Sequence, residues 1–200
     1  MKYYREIKLF DETEIPLGFL WSKVYTQIHL ALVEIKDNND RVDVGVSFPK
    51  YGDEMFPLGD TLRLFAPSED RMKALKLEHH LQRLMDYVSL APIKEVPDDV
   101  KKYAMFKRVR FKSHAQIRRS AKRRAERESI PYEMALKEYE ETAKKYEKLK
   151  CENRLPYINV QSLSNGNRMK LFIEKVASKE AKDGDFSTYG LSDRATVPIF

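Results

Sequence analysis

The run YYREIKLF (3–10) mixes aromatic and branched residues with charges, the pattern of a half-buried strand. After Pro16 the period lengthens, and Leu17, Trp21, Val24, Ile28, Leu32 and Ile35 recur on one side of a helix. The polar segment DNND (37–40) ends it. A period of two returns in RVDVGVSFP, where Val42, Val44, Val46 and Phe48 share one side of a strand, and TLRLFA (61–66) predicts another. Ser68 stands where a helix cap belongs, with Glu69 and Asp70 in the first turn favouring the positive end of the helix. Leu77, Leu81, Leu84 and Val88 carry an apolar stripe into DYVSLAPI (86–93), the last strand of this half. The order is β-α-β-β-α-β, a ferredoxin-like arrangement in which two helices cover one sheet face and leave the other available. That fold serves enzymes, metal binders, RNA readers and interaction modules, so it leaves function open.

The segment KEVPDD (94–99) marks the expected boundary. The fold class is then α+β: a ferredoxin-like, or RRM-like, domain at 1–95, followed by a smaller α+β domain at 96–200. YAMFKRVRF (103–111) reads as a strand, and from about Ala115 the spacing turns helical, with Ile117, Ala121 and Ala125 as a narrow apolar seam. Around that seam Arg118, Arg119, Lys122, Arg123 and Arg127 spread over roughly half the circumference. The pairs Arg119/Arg123 and Arg123/Arg127 are like-charged at i,i+4, each costing a few tenths of a kcal/mol in an isolated helix. The next helix, PYEMALKEYEETAKKYEKLK (131–150), alternates its charges and packs through Ala135, Tyr139, Thr142, Tyr146 and Leu149. It compensates itself; in the helix before it, Glu126 is nearly alone and an outside anion could offset the like charges.

Charge sharpens this contrast. The chain of 200 residues carries 37 Lys and Arg against 31 Asp and Glu, a net charge of +6. Residues 101–127 hold twelve Lys or Arg and one acid, Glu126, a block that attracts polyanions more strongly than the global balance does. A nucleic acid fits it best, with Arg108 and Arg110 in the preceding strand as forked donors for a guanine edge or a phosphate. Composition leaves RNA and DNA open. The lone Cys151 excludes an intramolecular disulfide and a thiolate zinc cluster. No apolar run approaches the roughly 20 residues that span a bilayer, and MKYYREIKLFDETE lacks a secretory h-region, so a cytoplasmic protein without a membrane partner is expected.

Candidate chemistry is sparse. His79 and His80 lie among Leu77, Leu81 and Leu84, one packed and one wet, with no carboxylates at metal-ligand spacing; no metal or other cofactor is expected. His114 precedes the basic helix, where it contacts phosphate or simply ends a turn. His29 sits about 100° from Ile28, at the margin of the first helix's apolar face, and its position alone suits a packed or surface imidazole better than a catalyst. In YINVQSLSNGNRMKLFIEK (157–175), Ile158, Val160 and Ser162 share a strand side before the turn SNGN (164–167). Ser162 is in no Gly-x-Ser-x-Gly elbow and no Ser-x-x-Lys pair, which argues against a hydrolase-type serine nucleophile.

Taken in order, IHLALV (28–33), VGVSFP (44–49), RVRFKS with the basic helix after it, NVQSLSNG–KLFI and the terminal FSTYGLS–VPIF resemble the Cas6f (Csy4) family, the CRISPR-repeat endoribonucleases of subtype I-F systems. The resemblance covers nearly the whole chain. It implies a C-terminal domain that binds an RNA hairpin through the arginine-rich helix. It also implies metal-independent cleavage of pre-crRNA at the base of each repeat hairpin, with the crRNA retained for a Cascade-type I-F complex and its subunits. The family's catalytic histidine falls on His29, its ribose-positioning serine on Ser162, a second serine on Ser164, and its histidine-orienting tyrosine on Tyr189.

The RNA-binding set implied by the same resemblance is Arg108, Arg110, Lys112, His114, Arg118, Arg119, Lys122, Arg123, Arg124, Arg127 and Met169, with Arg119 and Arg123 favoured as the groove pair. Two positions depart from the family pattern. Arg110 replaces a glutamine and cannot offer adenine that residue's paired donor and acceptor. Met169 stands where the family stacks an aromatic on the terminal base pair. Two other readings keep the basic helix: a non-cleaving hairpin-binding subunit and a DNA-binding regulator. A ferredoxin-like interaction module with a wet basic helix is a third.

Overall fold

The computed structural model describes residues 1–10, 14–54, 56–152, 155–161 and 166–200. These form two compact units, Met1–Arg108 with Pro156–Phe200, and Val109–Leu155. Compactness thus divides the chain along other lines than the 95/96 boundary read from the sequence. Among the described residues no helix is long and apolar enough to cross a membrane.

In the larger unit, β1 (Tyr3–Leu9) leads to α1 (Leu17–Glu34), which opens directly after Pro16. Leu20, Trp21, Val24, Tyr25, Ile28, Ala31 and Leu32 of α1 are buried, and Trp21 Nε1 donates to the Gly59 carbonyl at 2.8 Å. Asp37 closes the turn after α1, its Oδ1 accepting from the amides of Asn39 and Arg41 at 2.8 Å each. The single strand expected at 41–48 is two pieces, β2 (Arg41–Val42) and β3 (Gly45–Ser47). At the break Arg71 bonds both Asp43 (2.5 Å) and the Ile35 carbonyl (2.7 Å), so the chain changes partners there.

After β4 (Thr61–Ala66), Ser68 caps as expected, its Oγ accepting from the Arg71 amide at 3.2 Å. The helix it starts is interrupted, giving α2 (Glu69–Lys73), α3 (Leu77–Leu81) and a 3-10 turn at Gln82–Leu84. Leu75 and Leu77 are both fully buried. On a continuous helix they would point about 200° apart; left-handed Lys76 (φ 45°) between them turns both inward. The strands β5 (Val88–Leu90) and β6 (Lys94–Glu95) both pair with β1.

The sheet runs β3-β4-β1-β5, antiparallel throughout, with α1 between β1 and β3 in sequence and α2 and α3 between β4 and β5, which agrees with a ferredoxin-like arrangement. A second antiparallel sheet is built from β7 (Tyr103–Val109), β8 (Tyr157–Gln161), β9 (Arg168–Ser178) and β11 (Val197–Pro198), in the order β11-β7-β9-β8, while β10 (Phe186–Ser187) pairs with β2. The sheet face expected to stay available is covered in part, over Phe65, Gly45 and Ser47, while Lys8 stays exposed. Phe200 packs edge-on against Tyr4 (5.1 Å) and Phe65 (6.2 Å), with the Arg63 guanidinium 4.5 Å from its ring centroid. A Cβ on Gly45 would meet Phe186 and Val197 at 2.6 Å. One hydrophobic core therefore joins both sheets, from Ile7 and Leu62 to Phe106, Ile158 and Ile173.

The smaller unit is a helix pair, α4 (His114–Glu128) and α5 (Tyr132–Cys151). Ser113 and Gln116 form a capping box at the start of α4, and left-handed Ser129 (φ 52°) ends it. Ile117 and Ala121 are buried against α5, as their spacing predicts; Ala125 is half-buried. On α5 only Ala135 is fully buried, and Thr142 is exposed, its hydroxyl bonding back to the Glu138 carbonyl at 2.8 Å.

Candidate active site

The larger unit gathers four of the expected residues. His29, on α1, is half-buried, and its Nδ1 lies 2.8 Å from the Thr188 carbonyl. A carbonyl only accepts, so Nδ1 carries the proton and the neutral ring keeps its lone pair on Nε2. The Tyr189 ring lies flat on the imidazole, centroids 4.1 Å apart and planes 3° from parallel. On Tyr189 sits the Arg108 guanidinium, 5.4 Å from the ring centroid, and Arg108 also reaches Met169 Sδ at 3.2 Å. Met169, on β9, pairs in register with Val160 of β8.

These neighbours set the charge on His29. Burial pushes its pKa below the ordinary 6.5; the Thr188 carbonyl pulls the other way by stabilising the protonated ring, and the Arg108 charge adds to the lowering. The net direction is down, so at neutral pH the ring is an uncharged base with one nitrogen free to take a proton.

The turn that carries Tyr189 is held on every side. Ser187 N donates to Leu191 O at 2.9 Å, Gly190 N to Ser187 O at 2.7 Å, and Val46 N to Gly190 O at 3.0 Å. Gly190 is left-handed (φ 67°), and a Cβ there would stand 2.5 Å from Val46 Cγ1. Only glycine satisfies both demands. Tyr25 completes the hold: fully buried on α1, it donates its hydroxyl to the Tyr189 carbonyl at 2.8 Å. Sequence reasoning missed Tyr25 and the Thr188 carbonyl. The available signal was a phenol four residues before His29 on the same helix face, since a buried tyrosine hydroxyl needs a partner.

Ser162 and Ser164 lie outside the described residues, as does the first half of the turn at 164–167. Of the other histidines, His79 is exposed, whereas the His80 side chain is packed, 7 % exposed, its Nε2 3.4 Å from Glu34 and without a hydrogen bond among the described residues. Among the described residues no group of three His, Cys, Asp or Glu is arranged to hold a metal ion.

The remaining expected contacts fall in the smaller unit. Arg110 is exposed and follows the end of β7 rather than lying within it. Lys112 donates to Ser120 Oγ at 3.0 Å and caps the Tyr139 ring at 4.5 Å, with its pKa lowered by burial and by Arg110. His114 begins α4 and is exposed. Arg118, Arg119, Lys122 and Arg123 are exposed, and none has an ion pair among the described residues. Arg124 is engaged otherwise, bonded to Glu128 at 2.8 Å and to Glu138 of α5 at 2.5 Å, and Arg127 meets Glu128 at 2.7 Å. The like charges at 119 and 123 are thus left uncompensated, while 124 joins the two helices.

A family model described as a CRISPR-associated protein (Csy4) matches residues 4–200. A CRISPR-associated endonuclease Cas6/Csy4 of Escherichia coli (strain UTI89 / UPEC) is 32% identical over 203 residues, and one of Pseudomonas aeruginosa (strain UCBPP-PA14) is 31% identical over 201 residues. Both alignments cover 100% of this chain and 100% of the relative. Among solved structures, a chain described as an RAMP protein binding different RNA substrates aligns over 98% of this chain and 100% of its own, with a TM-score of 0.37 and 10% identity. A likeness of that size carries no argument.

Proposed function

The chain belongs to the CRISPR-associated Csy4 family of Cas6-type endoribonucleases, and from that premise we propose that it cuts pre-crRNA at the base of the CRISPR repeat hairpin and keeps the crRNA it releases. The reaction needs no metal. His29 Nε2 takes the proton of the ribose 2′-hydroxyl upstream of the cut, and the 2′-oxygen attacks the adjacent phosphorus in line. The bond from phosphorus to the 5′-oxygen breaks, and that oxygen leaves with a proton from solvent or from the imidazolium. The products are a 2′,3′-cyclic phosphate and a 5′-hydroxyl. Ser162 holds the attacking ribose, with Ser164 beside it, and Tyr189 fixes the imidazole plane. Intramolecular attack rewards such positioning strongly.

The hairpin is held by residues of 96–200, the arginine-rich part of the α+β architecture, with Arg119 and Arg123 entering its groove, Arg118, Lys122 and Arg127 on phosphates, and Arg124 holding the two helices together. Arg108 reads a guanine; Arg110, Lys112 and His114 line the approach; Met169 packs under the terminal base pair. The bound crRNA then joins a Cascade-type I-F complex in the cytoplasm. One observation carries the catalytic part of this reading: the Nδ1 contact of His29 with the Thr188 carbonyl, which leaves Nε2 as a neutral base.

The test is incubation with the cognate repeat RNA in EDTA, followed by mapping of both product ends. Cleavage with cyclic-phosphate ends, lost in His29→Ala and with 2′-deoxyribose at the cut, is the expected result. Tight hairpin binding without cleavage would favour a structural subunit, and preference for duplex DNA at matched salt would remove the RNA assignment.

A further inference from the structure

We propose that Tyr25 is a positioning residue for this cleavage, holding through its hydroxyl the turn that orients His29; the inference rests on His29 being the base. Tyr25 and His29 are four residues apart on α1, hence about 40° apart around it and one turn apart along it. Each bonds a carbonyl of the same loop, Tyr25 that of Tyr189 (2.8 Å) and His29 that of the preceding residue, Thr188 (2.8 Å). Two donors on one helix face thus grip two successive carbonyls, and Val46 N takes the third, at Gly190 (3.0 Å). Because Tyr189 also supplies the ring that stacks on His29, a shift of its carbonyl carries that ring with it.

Among the described residues no other donor reaches the Tyr189 carbonyl. Tyr25 is fully buried, between Trp21 (6.5 Å) and Phe48 (6.2 Å), so its ring cannot move to let water replace the hydroxyl. Burial pushes its ionisation far above the usual tyrosine range, which keeps the O–H a donor at every working pH. Phenylalanine keeps the packing and loses only the grip.

Tyr25→Phe is expected to slow single-turnover cleavage of the repeat hairpin by about 5- to 100-fold, the range for leaving one buried acceptor unpaired, with hairpin affinity changed by no more than about 2-fold. With the turn loosened and His29 better hydrated, the midpoint of the acid limb of the pH–rate profile should move up. Tyr51→Phe is the matched control. It deletes another tyrosine hydroxyl that donates to a carbonyl, that of Ile173 at 3.0 Å, away from the turn, and should leave rate and midpoint unchanged. Para-aminophenylalanine at position 25 restores a donor and should restore most of the rate.

Wild-type cleavage and an unmoved midpoint in Tyr25→Phe overturn the inference. So does a folded para-aminophenylalanine chain that binds the hairpin but cuts as slowly as Tyr25→Phe. If Tyr25→Phe does not fold, the aminophenylalanine chain decides: cleavage more than about 5-fold below wild type overturns the inference. His29→Ala separates the two readings. If it still cuts, the catalytic reading fails; if it is dead while Tyr25→Phe is wild type, only the role of Tyr25 fails.

Discussion

The imidazole of His29 and the phenol ring of Tyr189 lie face to face, 4.1 Å between centroids and 3° from parallel. The contact uses the ring of Tyr189; no hydrogen bond of its hydroxyl is seen among the described residues. It fixes the plane of the imidazole, while the Thr188 carbonyl fixes its rotation within that plane.

The first prediction separates ring from hydroxyl. Tyr189→Phe keeps the stack and should cleave at close to the wild-type rate. Tyr189→Ala frees the imidazole plane and should slow single-turnover cleavage between about 10- and 100-fold, the scale of a misplaced catalytic group. Rates measured at saturating protein check it. Equal losses in both variants would mean that the hydroxyl itself acts.

A second prediction concerns pH. With His29 as the proposed base and its pKa lowered below 6.5, cleavage should be at its plateau at neutral pH and fall as the pH drops through the lowered value. Arg108→Met removes one of the two lowering influences, leaving burial. The acid-limb midpoint should therefore move up toward 6.5, whatever the variant does to RNA affinity. The sign for stability is the same. A histidine that resists protonation when folded favours the unfolded chain as protons are added, so this group's contribution is complete above the unfolded pKa and declines as pH falls. A midpoint that stays or moves down in Arg108→Met would show that the guanidinium does not reach the imidazole.

How far the sequence revealed this arrangement depends on how local each signal is. Ser68 and the α4 helix were legible because capping and apolar spacing are decided within a few residues. The break at Lys76 was not, since an apolar stripe does not show that Leu75 and Leu77 must both face inward. Nor was the covering of the first sheet by Phe200, a contact between opposite ends of the chain. In the site, periodicity put His29 only at the edge of an apolar face; the resemblance drew attention to it. Its partner, the Thr188 carbonyl, is a backbone atom 159 residues away, which no side-chain pattern encodes. Arg110 was misplaced because YAMFKRVRF has no breaker, yet the strand ends at Val109.

Third, the arginines of α4 should divide by partner. Arg119 and Arg123 are exposed and without ion pairs among the described residues, whereas Arg124 bridges Glu128 and Glu138. Arg119→Ala and Arg123→Ala should each weaken hairpin binding by about 1–3 kcal/mol, and any of these residues that rests on phosphate should lower the salt slope by about 1. Arg124→Ala should instead lower helix content or the unfolding midpoint, because it releases two carboxylates that now face no cation of α4 except Arg127. Salt titrations of hairpin affinity alongside thermal melts distinguish the two outcomes. A larger affinity loss in Arg124→Ala than in Arg119→Ala would reverse the assignment.

The last prediction bears on the turn itself. At Gly190 two costs coincide, because a left-handed φ of 67° disfavours any Cβ and the added carbon would stand 2.5 Å from Val46 Cγ1. The first is worth roughly 1–2 kcal/mol and the second about 1–3 kcal/mol if the neighbour must move. Val46 has little room, being buried on β3 with its own amide bonded to the Gly190 carbonyl. Gly190→Ala should therefore lower stability to unfolding. It should also reduce cleavage, because the strain is relieved most easily by moving residues 188–190, which carry the acceptor and the stacking ring for His29. Val46→Ala in the Gly190→Ala background opens the space the new methyl needs, and should recover cleavage more completely than stability, since the left-handed backbone remains strained. Denaturant melts and single-turnover rates of the two single variants and the double variant form the required cycle. Additive losses, with no recovery in the double variant, would show that the methyl is accommodated without pressing on Val46.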